Sequence, residues 1–172
     1  ELVLTAVGRG FPERMCFSSD SRRFACAIDK PSGVLVWDLG SGREILSPQS
    51  SLPSVISVRL SPDGKWFAAG CSDGKVRIWD VQAKKQRHLL DGHTGGVLSV
   101  RYSPDGTRIA SASSDKTIKV WETASGKELL TLRGHTAGLR HVNFGPNGQR
   151  LVSFAYDKTV KVWDVSTPTE GN

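Results

Sequence analysis

Short apolar runs alternate along this chain with clusters of Gly, Pro, Asp, Asn and Ser. The runs are rich in Val, Ile and aromatic residues, which favour strands, and the clusters between them supply turn geometry. In VRYSPDGTRIASAS, Pro104 presets the φ angle of a turn and Gly106 takes its left-handed position, so residues 100–102 and 108–113 are predicted antiparallel neighbours. The loop SDKT then leads to a third strand ending at Trp121, and ASGK leads to a fourth, ELLTL. No window has a sustained helical period, so the pattern predicts an all-β chain of antiparallel meanders.

The meander repeats along the whole chain. Tryptophans recur at intervals of 42 residues, at Trp37, Trp79, Trp121 and Trp163, and they close the frames GVLVWD, KVRIWD, TIKVWE and TVKVWD. Each frame follows a tight turn, SSDS, SPDG, SPDG and GPNG in chain order. A fixed period of this length indicates a repeat architecture in which each unit buries its apolar face against the next. We therefore predict one region over residues 1–172, with repeats at about 1–42, 43–84, 85–126 and 127–172.

The motifs of these units resemble the WD repeats of β-propellers. The resemblance rests on the GHT triplets at Gly92 and Gly134, the SPDG turns, and the terminal Trp-Asp or Trp-Glu pairs. An aspartate also stands six residues before three of the tryptophans, at Asp73, Asp115 and Asp157. Together these motifs cover the chain and are far more specific than a lone Trp-Asp. The resemblance implies a propeller of four-stranded antiparallel blades, four of them in this chain.

Ser111, His93 and Asp115 are the residue types of a nucleophilic triad, but their recurrence favours a structural role. A catalytic triad is needed once, in a cleft beside oxyanion donors, whereas this set returns after 42 residues. In WD repeats such residues form a buried hydrogen-bonded tetrad, and two complete sets carry over to this chain: His93, Ser111, Asp115 and Trp121, then His135, Ser153, Asp157 and Trp163. The stretch GCSDG at residues 70–74 matches a nucleophile-elbow pattern, but it is predicted to lie between two strands and not at a strand-to-helix turn.

The first two units depart from the tetrad. The second has Ser51 in place of the histidine and Ala69 in place of the serine, and the first also lacks the histidine and has a longer DKPSG loop. Stability is therefore expected to rest more on the last two units. We expect His135→Ala or Asp157→Ala to lower the melting temperature, because each leaves a buried partner unsatisfied, and changes at Ser51 to do little.

The phase of the repeat bears on assembly. Residues 1–5, ELVLT, align with the outer strand ELLTL, whereas the fourth unit is predicted to lack an outer strand of its own. The resemblance implies that residues 1–5 complete the last blade. Three arrangements remain: a four-bladed ring, a homodimer that closes an eight-bladed ring by exchanging these strands, or a part of a larger propeller. We favour the last two, because open sheet edges and exposed blade faces promote aggregation.

Composition narrows the function classes. Lys and Arg number 23 against 17 Asp and Glu, which gives a net charge of +6. The basic residues are scattered and not interleaved with aromatics, which favours a solvated basic surface that suits an acidic partner. Nucleic-acid binding is a third hypothesis, less favoured because only the net charge supports it. His88 and His141 have no Cys or His at metal-ligand spacing, and no P-loop occurs, so no metal or cofactor is expected.

The cysteines and the apolar runs suggest where the chain works. Cys16, Cys26 and Cys71 are odd in number and form no C-x-x-C pair, which favours a reducing, cytoplasmic setting. No apolar run is long enough to span a bilayer and no basic-then-apolar leader is present, so no membrane partner is expected. The chain begins at Glu1 and not at methionine, which suits a processed chain or a piece of a longer one.

Function is expected from the surface, because a fold does not dictate it. The family resemblance implies a non-catalytic scaffold that binds proteins or peptides over the histidine and aspartate loops and the channel mouth. Specificity could reside in positions that vary while the frame is fixed: Glu13, Ile56, Leu98 and Arg140 on the inner strands, and Ser114, Tyr156, Lys116 and Lys158 in the loops. A regulatory or sensor segment of a larger signalling enzyme is the alternative.

Overall fold

The computed structural model describes residues 14–29, 32–46 and 52–166. These residues form antiparallel sheets, which we number as blades 1 to 4. Blade 1 contains β1 (Arg14–Phe17), β2 (Arg23–Asp29), β3 (Ser32–Asp38) and β4 (Arg43–Leu46). Blade 2 contains β5 (Val55–Leu60), β6 (Trp66–Cys71), β7 (Val76–Asp80) and β8 (Lys85–Leu90). Blade 3 contains β9 (Val97–Tyr102), β10 (Arg108–Ser113), β11 (Ile118–Glu122) and β12 (Glu128–Leu132), and blade 4 contains β13 (Leu139–Phe144), β14 (Arg150–Ala155) and β15 (Val160–Asp164). The predicted all-β architecture of four antiparallel blades is confirmed.

The tight turns that join the first two strands of each blade fix their register. In blade 3 the Thr107 N–H and the Ser103 hydroxyl both donate to Asp105 Oδ1, at 3.0 and 2.5 Å. Gly106 has a φ of 73°, in the left-handed region, and its N–H donates to the Ser103 carbonyl at 2.9 Å. In this turn the serine, the aspartate and the glycine of SPDG each contribute a bond or a backbone conformation that holds it.

Successive blades stack face to face in chain order, with small residues on one side and larger apolar side chains on the other. Ala68 and Ile78 of blade 2 pack against Val97, Val100 and Ile109 of blade 3. The approach is close at Gly70, where an added Cβ would lie 2.8 Å from Val97 Cγ1 and 3.0 Å from the Val97 carbonyl oxygen. The spacing of the blades is thus set by alanine and glycine on β6 and its equivalents.

The inner strands β1, β5, β9 and β13 lie side by side along one wall of the molecule. Side chains of one inner strand bond the backbone of the next: the Val100 N–H donates to Ser57 Oγ at 3.1 Å, and the Val142 N–H donates to Ser99 Oγ at 3.4 Å. These bonds hold the inner strands in register across blades. They also place equivalent residues of successive repeats in a row.

Blade 4 leaves one apolar face uncovered. Its side chains are 41%, 39%, 64% and 66% exposed at Val152, Phe154, Val160 and Val162. The equivalent positions of blade 3 are buried against blade 4. They are occupied by Ala110, Ala112, Ile118 and Val120. The exposed face is therefore the same face through which blade 3 meets its neighbour.

Some of the sequence predictions lie outside the described residues. These are the closing strand at residues 1–5, the candidate binding residue Glu13 and the tetrad substitute Ser51. Blade 4 has three strands in the described part of the chain. The prediction that it lacks an outer strand of its own concerns residues after 166, which lie outside the described residues. The part of the chain that the structure describes has no helix that could cross a membrane.

Candidate functional site

The polar tetrad of blade 3 is a continuous chain of hydrogen bonds that joins β10, β11, the loop between them and the loop before β9. His93 Nδ1 lies 2.8 Å from Asp115 Oδ2, and His93 Nε2 lies 2.8 Å from Ser111 Oγ. The indole N–H of Trp121 donates to the same Ser111 oxygen at 2.8 Å. Thr117 adds a fifth member, because its hydroxyl donates to Asp115 Oδ1 at 2.7 Å.

The tetrad of blade 4 has the same geometry. His135 Nδ1 lies 2.8 Å from Asp157 Oδ2, and His135 Nε2 lies 2.8 Å from Ser153 Oγ. The Trp163 indole donates to Ser153 Oγ at 2.8 Å. The set that the sequence repeats every 42 residues is therefore also repeated in space.

The contacts assign the protons of the blade 3 tetrad. A carboxylate only accepts, so His93 Nδ1–H donates to Asp115, and the neutral ring then accepts the Ser111 hydroxyl proton at Nε2. Burial lowers the pKa of His93, although hydrogen bonding and charge from Asp115 act to raise it. Burial acts to raise the pKa of Asp115, but hydrogen bonds from Thr117 and His93 hold it below its usual range. The network therefore carries one negative charge, on the aspartate, at neutral pH.

This geometry gives Ser111 no role as a nucleophile. Its side chain is fully buried, and its oxygen accepts the Trp121 N–H while its proton goes to His93. No substrate carbonyl could reach it without breaking the tetrad. The stretch 70–74 ends β6 and leads to β7, so its serine stands between two strands.

Blade 2 replaces the tetrad with an ion pair. Arg77 forms two parallel bonds to Asp73, with Nη2–Oδ2 at 2.7 Å and Nη1–Oδ1 at 3.1 Å. These bonds hold the pKa of Asp73 below its usual range. Ala69 stands where blades 3 and 4 have serine, and the buried Trp79 Nε1 has no hydrogen-bond partner among the described residues. The aspartate thus keeps a partner in blade 2, but the tryptophan does not.

A cavity of about 290 Å³ opens among the inner strands. Four residues that the sequence analysis singled out line it: Ile56, Leu98 and Arg140 at the second position of β5, β9 and β13, and Tyr156 just after β14. Tyr156 is 61% exposed. The structure therefore brings the variable inner-strand positions and one loop aromatic to a single concave surface.

Basic side chains dominate the same cavity. Arg14, Arg59, Arg101 and His141 also line it. Burial, with the charge of Arg59, lowers the pKa of Arg101 to about 10. Burial also lowers the pKa of His141, helped by the charges of Arg101, Arg140, Arg14 and Arg59. These groups are close enough to repel one another, so the cavity carries a concentrated positive potential.

The remaining loop candidates lie apart from this cavity. Ser114, Lys116 and Lys158 are exposed in the loops after β10 and β14, and the two lysines have φ angles of 72° and 63°. The Ser114 N–H donates to the Gly96 carbonyl at 3.0 Å, which ties this loop to the one before β9. These residues form an exposed loop rim and do not line the concave site.

Sequence reasoning missed Arg14, Arg59, Arg101 and His141. Comparison between repeats was limited to the second inner-strand position and to the loops, whereas Arg59 and Arg101 share the fifth position of β5 and β9. The recurrence of these two arginines in the stretches VRL and VRY was a signal in the sequence that could have identified them. Within residues 14–29, 32–46 and 52–166, no group of three or more His, Cys, Asp or Glu could hold a metal ion.

Comparisons with known proteins agree with the repeat geometry. The family model of the WD domain, G-beta repeat, matches residues 46–80, 84–122 and 126–164. Coronin-7 of Rattus norvegicus is 40% identical over 50 residues, which are 29% of this chain and 5% of that protein. Small ribosomal subunit protein RACK1 of Drosophila melanogaster is 42% identical over 76 residues, 39% of this chain and 23% of that protein. The periodic tryptophan protein 2 homolog of Schizosaccharomyces pombe is 29% identical over 91 residues, 53% of this chain and 11% of that protein. The chain therefore spans less than a quarter of the length of each of these relatives.

Proposed function

Because this chain belongs to the WD domain, G-beta repeat, family, we propose that it is a non-catalytic scaffold that binds a protein or peptide over its inner strands. The family match confirms the resemblance that the repeat motifs predicted. Proteins with these repeats act as protein-interaction scaffolds. We therefore expect the function to reside on the surface of the blades and not in a reaction centre.

The cavity among the inner strands carries the proposal. Ile56 and Leu98 supply apolar contact, and Arg140 and Tyr156 supply the two side chains that most often anchor interfaces. The positions vary between repeats while the structural frame around them is fixed. A partner that reaches into the cavity would read these four residues, with the exposed loops of Ser114, Lys116 and Lys158 at the rim of the interface.

Charge gives the partner a chemical character. The net charge of +6 and the arginines of the cavity favour an acidic peptide segment.

Cys16, Cys26 and Cys71 are free, which suits the reducing, intracellular setting expected from the sequence.

A library of random twelve-residue peptides displayed on phage tests this function. Selection on the immobilised chain should enrich a family of acidic sequences. Replacing Tyr156 with alanine should abolish that enrichment, because the cavity would lose a residue that anchors the peptide. The control is Leu129→Ala, which removes another exposed apolar side chain away from the inner strands. Enrichment that is equal on both variants would contradict a binding site at the cavity.

The exposed face of blade 4 supports a proposal on assembly. It is the face through which blade 3 meets its neighbour, so we expect it to meet a further blade, either of a second copy in an eight-bladed ring or of a longer chain. Light scattering during size-exclusion chromatography would separate these outcomes for the 18.7 kDa chain. A compact particle of twice that mass supports the homodimer, and a polydisperse sample supports missing blades. A compact monomer would argue against both and for four-bladed closure.

A further inference from the structure

Each inner strand contributes one arginine to the central cavity. Arg14 comes from β1, Arg59 from β5, Arg101 from β9 and Arg140 from β13. His141 follows Arg140 on β13 and also lines the cavity. Residues that are far apart in the sequence thus place five basic groups around one small volume.

The arginines of the cavity have no acidic partner among the described residues. The ion pairs of the described chain use other residues, such as Arg77 with Asp73 and Lys119 with Glu128. Arg59 Nη1 donates instead to the Val58 carbonyl at 2.8 Å, and Arg101 Nη1 donates to the Val100 carbonyl at 2.7 Å. Arg59 Nη1 also donates to the Met15 carbonyl of β1, and Arg101 Nη1 also donates to Ser99 Oγ, both at 3.4 Å. These bonds use Nη1 of each group, and each guanidinium has further N–H donors that can reach a ligand.

We propose that the cavity among the inner strands binds one phosphate-monoester group carried on a side chain of the partner peptide. The inference rests on the proposed peptide-binding function and names the chemistry of the group bound. A phosphorylated side chain brings nearly two negative charges and three acceptor oxygens, so several guanidinium groups can donate to it at once. A carboxylate would satisfy fewer of these donors and leave more positive charge uncompensated.

The size of the cavity argues for a single small group. Its volume of about 290 Å³ lies at the lower end of the range for ligand pockets, where one side chain with its head group fits. Nucleic acid would need a track of positive charge with stacking aromatics, and Tyr156 is the one aromatic residue among those that line the cavity. A polyanion therefore remains an outcome of the test and not part of the proposal.

Calorimetric titration with two capped tripeptides, Gly-phosphoserine-Gly and Gly-Glu-Gly, tests the site. We expect the phosphopeptide to bind at least about tenfold more tightly than its glutamate counterpart. Arg140→Gln should weaken phosphopeptide binding by about tenfold, because one charged donor is lost. Arg140 is exposed, so this change should leave the fold intact. The matched control is Arg133→Gln, also an exposed arginine, which does not line the cavity.

Nuclear magnetic resonance of His141 gives a second readout. Bound phosphate places negative charge beside the imidazole, so the pKa of His141 should rise when the phosphopeptide is added. Without ligand, the Arg133→Gln control should have the same His141 pKa as the unsubstituted chain, because Arg133 does not line the cavity. Equal binding of both tripeptides, equal weakening by the two arginine variants, or an unmoved His141 titration would each overturn the proposal. Tighter binding of an oligonucleotide that lacks a terminal phosphate monoester than of the phosphopeptide would also overturn it.

These tripeptides contain no partner sequence, so the experiment separates the two proposals. Enrichment of library peptides without phosphopeptide binding would retain the scaffold function and reject the phosphate site. Binding of the phosphopeptide without enrichment from the unphosphorylated library would retain the site and show that the scaffold needs a modified partner.

Discussion

Arg77 and Asp73 face each other in blade 2 through two parallel hydrogen bonds, in the place where blades 3 and 4 pair a histidine with an aspartate. Both arrangements give the loop aspartate a cationic or N–H donor. They differ at the tryptophan, because the arginine pair provides no acceptor for the Trp79 indole. The four blades therefore share a frame without sharing one polar network.

Ala69→Ser should stabilise the chain. In blades 3 and 4 the equivalent serine accepts the tryptophan N–H at 2.8 Å, so a hydroxyl at position 69 would satisfy the buried Trp79 Nε1. We expect a gain of about 1 kcal/mol in the free energy of unfolding, measured by urea denaturation. The control is Ala68→Ser, which places a hydroxyl on the face toward blade 3 and should destabilise. A loss at both positions would show that blade 2 has no room for the tetrad serine.

Ser111→Ala should strongly destabilise blade 3. The change leaves Trp121 Nε1 and His93 Nε2 buried without their common partner. We expect a loss of about 2–4 kcal/mol in the free energy of unfolding, since each unsatisfied group costs its desolvation energy. Ser114→Ala, at an exposed loop position, should change stability little. Similar effects of the two variants would mean that the tetrad contributes nothing beyond its packing.

Gly70→Ala should disturb the contact between blades 2 and 3. The new methyl group would lie 2.8 Å from Val97 Cγ1 and 3.0 Å from a backbone oxygen, which cannot move away without shifting β9. Overpacking of this kind costs about 1–3 kcal/mol, and thermal unfolding would record it as a lower Tm. Gly145→Ala offers the comparison, because its Cβ would meet nothing closer than 3.6 Å. If Gly145→Ala lowers the Tm as much, crowding between blades is not the cause.

Stability should fall as the pH drops below about 6.5, the unperturbed pKa of histidine. Burial keeps the pKa of His93 lower in the folded chain than in the unfolded one, so the unfolded chain binds the proton first. The loss continues as the pH falls to the folded pKa of His93 and then ends for this group. Depressed carboxyl groups such as Asp115 add a further loss below about pH 4.

Urea denaturation at pH 7, 6 and 5 measures this dependence. His93→Gln should flatten the slope between these pH values, even though the variant is less stable at every pH. The pKa of His141 is lowered in the same direction, so His141→Gln shows how much of the slope comes from the cavity. A slope that neither variant changes would exclude both histidines as its source.

The repeat frame was predictable because each part of it has a local cause. The SPDG turn, the apolar strands and the recurring tryptophan each follow from residue chemistry at a fixed spacing. The regularity of the 42-residue period then places equivalent residues in equivalent positions. The candidate residues Ile56, Leu98 and Arg140 line one cavity for that reason.

The basic cavity was less predictable. A regular strand sends alternate residues to opposite faces, but the register of β13 shifts between Leu139 and His141, which places a β-bulge at Arg140. Arg140 and His141 are neighbours in sequence, and both line the cavity. Which arginines converge depends on how four blades are arranged around that space, and this information is not local. The Arg77–Asp73 pair, in contrast, is local. The sequence showed that the tetrad of blade 2 is broken, but not that Arg77, four residues after Asp73, takes the place of its partner.

The exposed face of blade 4 differs from its equivalents in bulk as well as in exposure. Phe154 occupies the register position of Gly70, and Val152 that of Ala68. A neighbour that approached blade 4 as closely as β9 approaches β6 would collide with the phenyl ring. Whatever covers this face must offer a recess for that ring, which the described blades do not offer one another. The phenyl ring of Phe154 thus makes the face of blade 4 selective, because it favours a neighbour whose surface has the complementary shape.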